Sequence, residues 1–192
     1  MDTSSPPKSP DAITSQAKHS ASSISDAANS TTRDHQTTES TKAQIILAPS
    51  REPLRHPLAI FLAGTTTAPD WRDAVAASLS HQSITIFNPL RHDWDSSWRE
   101  DETFGSFREQ VQWELDAQEA SRVVVIYFGP DTDAPISLLE LGLVTREGTA
   151  LVVCHPRYRK RGNVQIVCRR YGITVMDSFD GLAEAVMEKL AA

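Results

Sequence analysis

Short apolar runs alternate with helix-like stretches from Ala43 to the end of this 192-residue chain. The runs are rich in β-branched residues, and the stretches between them are long enough for helices. This alternation is typical of a parallel sheet flanked by helices. We therefore predict one α/β domain over residues 43–192, with a parallel sheet of about five strands. The predicted strands are 58–63, 84–87, 122–128, 150–154 and 173–175, with a candidate edge strand at 45–47.

The segments between these strands predict helices on the sheet. They cover residues 69–79, 107–121, 136–146, 164–170 and 180–190. In the second of them, Phe107, Val111, Glu114 or Leu115, and Gln118 recur at helical spacing, which indicates a helix. Pro135 stands where the first residue of a helix belongs.

Residues 1–42 differ in amino-acid composition from the rest of the chain. They are dominated by Ser and Thr and contain no aromatic residue. A segment of this kind cannot bury enough apolar surface to offset the entropy of ordering it. We predict a disordered N-terminal tail that takes no part in the chemistry.

Composition excludes several classes of protein. The chain has 19 Lys and Arg against 25 Asp and Glu, a net charge of −6, which repels a phosphate backbone and argues against a nucleic-acid binder. Its apolar runs are far shorter than the ~20 residues that span a bilayer, so we expect no membrane protein. Cys154 and Cys168 lie in apolar segments and predict buried thiols rather than a disulfide. With neither a secretory nor a mitochondrial signal, we expect a cytoplasmic or nuclear protein.

Polar loops follow three of the predicted strands. Parallel sheets bind ligands beyond the carboxyl ends of their strands, which places a site near Gly64 and Thr65, near Asn88 to Trp98 and near Asp133. Neither G-x-G-x-x-G nor G-x-x-x-x-G-K-[ST] occurs in the sequence, so we expect no cofactor bound by either motif. The histidines lack partners at metal-ligand spacing, and we expect no metal.

Glu140 is the most informative single residue, because leucines enclose it on both sides. Burial penalises a carboxylate, and an acid that loses its water in this way needs compensation and can acquire catalytic duty. Ser137 lies one turn earlier on the same face of the predicted helix. The alternative is that Glu140 lies at a helix edge and only interacts with the helix dipole.

Two further groups of residues are candidates for substrate binding. Glu114 lies on the helix before the central strand, although solvated glutamates are common on helices. The loop after the second buried strand combines aromatic rings with carboxylates, which suits a nucleobase and a sugar. Its candidates are Asn88, Asp93, Trp94, Asp95 and Trp98. The alternative is that its tryptophans only cover the end of the sheet. A basic run at 157–161 could bind phosphate or be a solvated loop.

Several motifs together resemble those of the nucleoside 2-deoxyribosyltransferase-like family. They are FLAGT at 61–65, FNP at 87–89, DWD at 93–95, Trp98, WE at 113–114, YF at 127–128 and LLELG at 138–142. The resemblance implies a flavodoxin-like, doubly wound sheet with helices on both faces. It also implies homo-oligomers whose active sites are completed across subunits, and transfer of a 2-deoxyribosyl group between nucleobases.

The resemblance also implies roles for single residues. Glu140 would be the nucleophile, and Glu114 would help to hold the substrate. Gly64 and Thr65 would border the sugar and the base, and Asp133 is the approximate counterpart of an aspartate that precedes the nucleophile helix. The implied reaction forms a covalent glycosyl-Glu140 intermediate from a nucleoside or nucleotide, without a cofactor or metal.

Two other functions are compatible with the same residues. One is a non-catalytic module that binds a nucleotide-like ligand or a partner protein in the same pocket. The other is an N-glycoside hydrolase, in which water replaces the acceptor base. The sequence does not choose among them.

Overall fold

Parallel strands form one sheet in the computed structural model, which describes residues 41–66, 70–95 and 97–192. The strands of these residues are β1 (Gln44–Leu47), β2 (Ala59–Gly64), β3 (Thr85–Asn88), β4 (Val123–Phe128), β5 (Ala150–Cys154) and β6 (Val175–Met176). The helices are α1 (Trp71–Ser78), α2 (Gly105–Glu119), α3 (Pro135–Val144), α4 (Arg161–Arg170) and α5 (Leu182–Ala191). The predicted tail, except for its last two residues, and the predicted helix start at Pro69 lie outside the described residues.

The strand order is β1-β3-β2-β4-β5-β6, and every pair of neighbours is parallel. From β3 to β6 this is the flavodoxin order, in which the chain winds in one direction from β2 to β3 and in the other from β4 onward. The predicted doubly wound α/β fold is therefore confirmed. The described part of the sheet has six strands rather than about five, because the candidate edge strand pairs with β3 along its whole length.

Helices cover both faces of the sheet. On one face, Trp113 of α2, Leu141 of α3 and Val164 of α4 belong to one buried apolar cluster. On the other face, Val75 of α1 and Val186 of α5 belong to a second cluster. Strands β2 and β4 supply side chains to both clusters, which explains why their sequences are continuous apolar runs rather than alternating ones.

Helix α2 is confirmed, and its buried face is partly polar. The helix buries Gln110, Trp113, Ala117 and Gln118, while Val111 and Leu115 are exposed. Trp113 sets this orientation, since its ring lies 6.3 Å from that of Phe61 and 6.0 Å from that of Phe87. Burying one indole outweighs burying two smaller aliphatic side chains, and it turns the polar residues of α2 toward the sheet end.

The strand ends approach each other closely where the winding reverses. Gly64 ends β2 opposite Tyr127 of β4, and its φ of +120° is one that residues with a side chain rarely adopt. A Cβ atom at this position would lie 2.3 Å from the Tyr127 carbonyl oxygen. Gly64 therefore allows the two strand ends to lie side by side at the edge where ligands bind. None of the described helices is long and apolar enough to cross a membrane.

Candidate active site

A cavity of about 540 Å³ lies beyond the carboxyl ends of β2 and β3, between the loop after β3 and helices α2 and α3. This volume is within the usual range for small-molecule sites. Its charged lining residues are Asp70, Arg72, Arg91, Glu100, Glu114 and Glu140. Its larger apolar lining residues are Pro89, Leu90, Trp94, Phe107, Val111 and Ile136.

Glu140 lies on α3 and is 8% exposed. The helix starts at Pro135, whose fixed φ suits the first helical turn. The buried residues of α3 are Ser137, Glu140, Leu141 and Val144, so one helix face carries both apolar contacts and the acid. Gln118 of α2 donates a hydrogen bond from Nε2 to Glu140 Oε1 over 3.1 Å.

The environment of Glu140 opposes its ionisation. Burial is the main cause, the nearby Glu114 carboxylate adds to it, and together they raise the pKa of Glu140 to about 8. The Arg72 charge and the Gln118 hydrogen bond act in the opposite direction. At neutral pH, Glu140 therefore carries a proton for most of the time.

Glu114 is another acid of the cavity whose pKa is raised. Burial raises its pKa, while a hydrogen bond from Gln110 and the charge of Arg72 lower it. Gln110 donates from Nε2 to Glu114 Oε1 over 2.8 Å and to the Pro89 carbonyl oxygen over 2.9 Å. Two carboxyls with raised pKa values in one cavity can hold a proton between them.

Arg72 is the buried cation beside these acids and is 5% exposed. Its Nε donates to the Leu62 carbonyl oxygen over 3.2 Å, and its Nη2 donates to the Gly64 carbonyl oxygen over 2.8 Å. Its Nη1 contacts Asp70, which also caps helix α1. The guanidinium therefore holds the end of β2 and the start of α1 together, and its charge favours the ionised forms of both glutamates.

The loop after β3 brings only part of its predicted set to the cavity. Trp94 lines the cavity, and its ring lies 5.0 Å from that of Trp98. Arg91 also lines the cavity. Its guanidinium lies 4.9 Å from the Trp98 ring and forms ion pairs with Asp93 at 2.7 Å and Glu109 at 2.8 Å. The Arg91 hydrogen bond lowers the pKa of Asp93.

The predicted site residues thus fall into two groups. The structure brings Gly64, Trp94, Glu114, Ser137 and Glu140 together around the cavity. Thr65, Asn88, Asp93, Asp95, Trp98 and Asp133 are not among its described lining residues.

Local contacts explain what most of the second group do. The Thr65 hydroxyl joins β4 to the following loop, bonding the Tyr127 carbonyl oxygen at 3.1 Å and the Gly129 amide at 3.0 Å. Asn88 Oδ1 and Asp95 Oδ1 each accept a backbone N–H two residues later. Asp133 is exposed and pairs with Arg159 and Lys160 of the basic run.

Sequence reasoning missed three polar residues around the acids, which are Arg72, Gln110 and Gln118. The spacing of Gln110, Glu114 and Gln118 places them on one helix face, but polar residues on a helix are more often solvated than buried. Nothing in the sequence distinguishes Arg72 from a solvated arginine. Among the described residues, no group of three or more His, Cys, Asp or Glu side chains could hold a metal ion.

A family model described as nucleoside 2-deoxyribosyltransferase like matches residues 57–158. The chain belongs to this family. The match covers more than half of the chain, extends from before β2 to beyond β5, and includes Glu114 and Glu140. It confirms the resemblance stated from the motifs and supports a glycosyl-transfer function related to that of the family. No curated protein sequence matches the chain.

The site of this nucleoside 2-deoxyribosyltransferase-like protein contains groups for three tasks. A buried carboxyl can attack carbon when it is ionised. A second carboxyl, whose pKa burial raises, can donate or accept a proton. Apolar and aromatic side chains around Trp94 can contact the faces of a planar ring.

Proposed function

We propose that this protein is a nucleoside 2-deoxyribosyltransferase-like enzyme that cleaves or exchanges the N-glycosidic bond of a deoxynucleoside or a related nucleoside or nucleotide. The observation that carries the proposal is the placement of Glu140, a buried acid on the wall of the cavity where the sheet winding reverses. Family membership supports the same reaction class.

In the first step, one Glu140 carboxylate oxygen forms a bond to C1′ of the sugar. The C1′–N bond breaks through a transition state with oxocarbenium character, and its electron pair leaves with the base. Glu114 donates a proton to the departing nitrogen. In the second step, an acceptor base attacks C1′, the bond to Glu140 breaks, and Glu114 recovers a proton from the acceptor. Two displacements at C1′ give net retention, and water in place of the base gives hydrolysis.

The reaction requires Glu140 ionised and Glu114 protonated at the same time. Proximity keeps one proton on the pair, because ionisation of one carboxyl disfavours ionisation of the other, and without substrate that proton lies on Glu140 for most of the time. Substrate binding therefore has to shift the proton from Glu140 to Glu114 before the attack. Arg72 stabilises the one negative charge that remains. The site therefore holds the nucleophile and the proton donor in one cavity, and its residues supply both without a cofactor.

The lining suggests how a nucleoside would lie. Leu90, Trp94, Phe107 and Val111 form the apolar part of the wall, which suits a base. Gly64, Ser137 and Glu140 form the polar part beyond the strand ends, which suits a sugar. Stacking on an aromatic ring is worth about 1–3 kcal/mol per base and tolerates different bases.

A second copy of the chain would complete the wall of the cavity. Helix α3 exposes Ile136 (59%), Leu139 (60%) and Leu143 (50%), and we call these residues the α3 stripe. Ile136 also lines the cavity, so the stripe reaches the mouth of the site. Apolar patches of this kind mark interaction surfaces. The proposed functional unit is a homo-oligomer of the 43–192 domain.

Base exchange provides the test. The protein is incubated with each 2′-deoxynucleoside, with and without a different acceptor base, and the bases and nucleosides are separated by chromatography. We expect a new nucleoside with acceptor present, or free base without it, and a loss of at least about 10³-fold in Glu140→Ala. Glu119→Ala, at an exposed position of α2, is the control.

Three outcomes would contradict the proposal. Unchanged turnover in Glu140→Ala would show that Glu140 is not the nucleophile. Absence of turnover with every nucleoside and nucleotide would show that the protein is not an enzyme of this class. Calorimetric binding of a nucleotide without turnover would establish the alternative, a non-catalytic binding module on the same fold.

A further inference from the structure

The side chain of Gln118 holds one particular oxygen of Glu140. Gln118 lies on α2, is 7% exposed, and donates from Nε2 to Glu140 Oε1 over 3.1 Å. Among the described residues, Glu140 Oε2 accepts no hydrogen bond. The two oxygens of the buried carboxyl are therefore different before any ligand binds.

The other half of the same amide has no partner in the part of the chain that the structure describes. Gln118 Oε1 is buried and forms no hydrogen bond with the described residues. A buried acceptor without a donor is destabilising, and native proteins satisfy nearly all such groups. An aliphatic side chain of similar length would fill the space without this cost. Packing therefore does not account for a glutamine at this position, whereas the hydrogen bond to Glu140 does.

We propose that Gln118 is a positioning residue that fixes Glu140 Oε1 and leaves Oε2 to attack the sugar. This inference rests on the proposed function. The side chain acts through Glu140 and needs no contact with the substrate. Because α2 and α3 pack on the same face of the sheet, the two helices hold the Gln118 amide and the Glu140 carboxyl within hydrogen-bond distance of each other.

The same hydrogen bond serves both displacements. When the Oε2–C1′ bond forms, Oε1 becomes the carbonyl oxygen of the glycosyl ester and still accepts the Gln118 N–H. When that bond breaks, its electron pair returns to the carboxylate, and the N–H stabilises the charge that develops there. Loss of the donor is therefore expected to slow turnover more than it weakens substrate binding.

Three groups determine how readily Glu140 ionises besides its burial. Glu114 of α2 opposes ionisation, Arg72 of α1 favours it, and the neutral Gln118 favours it through the hydrogen bond alone. Removing the donor is therefore expected to move the titration of Glu140 to higher pH, while leaving both neighbouring charges in place.

The test uses Gln118→Met, which keeps an unbranched side chain of similar length, and Gln112→Met at an exposed position of α2 as the matched control. We expect Gln118→Met to lower kcat by about tenfold or more, to leave KM within about threefold, and to move the acid limb of the kcat profile to higher pH. Gln112→Met is expected to match the native protein. Equal kcat and equal acid limbs in all three proteins would overturn the inference.

A second variant and a second readout separate this inference from folding and from the proposed function. Gln118→Glu keeps the shape but adds a carboxyl, so its acid limb is expected to lie at still higher pH. The Glu140 carboxyl carbon is also titrated by NMR in protein labelled with ¹³C-glutamate, with Glu140→Gln identifying its signal. A higher midpoint in Gln118→Met supports the inference even without turnover, whereas an unchanged midpoint overturns it. Absence of base exchange by the native protein would contradict the proposed function instead.

Discussion

Glu140 is an acid in surroundings that oppose its ionisation. Burial and the neighbouring Glu114 raise its pKa from an ordinary value of 4.5 to about 8. Active sites commonly contain groups of this kind even though they lower the stability of the fold. The pH dependence of unfolding measures this loss of stability directly, because the carboxyl binds a proton more tightly in the folded state than in the unfolded state.

We predict that Glu140→Gln stabilises the protein by an amount that grows with pH. Below about pH 4.5 the carboxyl is protonated in both states. As pH rises from there to about 8, the unfolded native chain ionises and the folded one does not, so native stability falls. One pKa unit corresponds to about 1.4 kcal/mol. Even with half of the pKa shift, the difference in free energy of unfolding between Glu140→Gln and the native protein is about 2 kcal/mol larger at alkaline pH than at acid pH. Urea unfolding at both ends of this range measures the difference.

The control for this prediction is Glu119→Gln, at an exposed position of α2. Its free energy of unfolding should follow that of the native protein at every pH. A Glu140→Gln advantage that is the same at both ends of the pH range would show that the shift of the Glu140 pKa is absent.

Single residues were predictable from sequence only where their surroundings were unusual. Leucines on both sides of Glu140 indicate an acid that has to be buried. Gln118 and Arg72 stand among polar neighbours, and their burial follows from how α1 and α2 are rotated on the sheet. That rotation depends on the contacts of Trp71 and Trp113 with distant strands, which the local sequence does not contain.

The loop between β3 and α2 is the element that offers the cavity an aromatic wall. We predict that Trp94→Ala weakens nucleoside binding by about 1–3 kcal/mol, about 5- to 150-fold in Kd, with little change in kcat. Calorimetry on the Glu140→Ala protein measures affinity without turnover. The control is Tyr171→Ala, which removes an exposed ring that does not line the cavity. Trp71 is not used as a control because it is part of the core. Equal affinities in the Glu140→Ala protein with and without Trp94→Ala would exclude this ring from the base subsite.

Strand β2 ends at a position that tolerates only glycine. We predict that Gly64→Ala destabilises the protein by about 3 kcal/mol or more, because a Cβ there would overlap the Tyr127 carbonyl group and the φ is positive. Gly162→Ala in α4 is the matched control, since nothing lies within 4 Å of an added Cβ, and it should change stability by no more than about 0.5 kcal/mol. Thermal unfolding by circular dichroism compares the two variants, and similar melting temperatures would contradict the prediction.

Elements were more predictable than their orientations. Strand β5 has the predicted bounds, and β2, β3 and β4 differ from theirs by at most one residue at each end, because continuous apolar runs identify buried parallel strands. The last strand, predicted at 173–175, is Val175–Met176, because only two residues there pair with β5. Helix α2 was predicted at 107–121 and is Gly105–Glu119. Its buried face was not predicted, since periodicity does not reveal which of two faces a large indole selects.

At the level of the whole molecule, the doubly wound order explains where the cavity lies. Strands β2 and β4 are neighbours in the sheet, but β3 lies on the far side of β2. The connections after β2 and β4 therefore diverge to opposite faces and leave a crevice at their carboxyl ends. The sequence predicts this crevice once the strand order is known, and it predicts less well which loop residues reach into it.

The α3 stripe predicts self-association. We expect sedimentation of the native protein to show a dimer or larger oligomer, and Leu139→Glu to shift it toward monomer, because a charge in an apolar interface is costly to desolvate. Ile166→Glu, on the exposed surface of α4, is the control and should sediment as the native protein does. A native monomer, or a Leu139→Glu protein with unchanged mass, would contradict the proposed assembly.

The central claim is that Glu140 becomes covalently bonded to the sugar, and trapping that ester tests it most directly. A 2′-fluoro-2′-deoxynucleoside is suitable, because fluorine at C2′ destabilises the oxocarbenium-like transition states and slows release of the bound sugar. The masses of the intact protein and of its proteolytic peptides are then measured by mass spectrometry. The account predicts one fluorodeoxyribosyl group on the peptide that contains Glu140, and none on the Glu140→Gln protein. Base release from this nucleoside without an adduct, or an adduct on another residue, would contradict it.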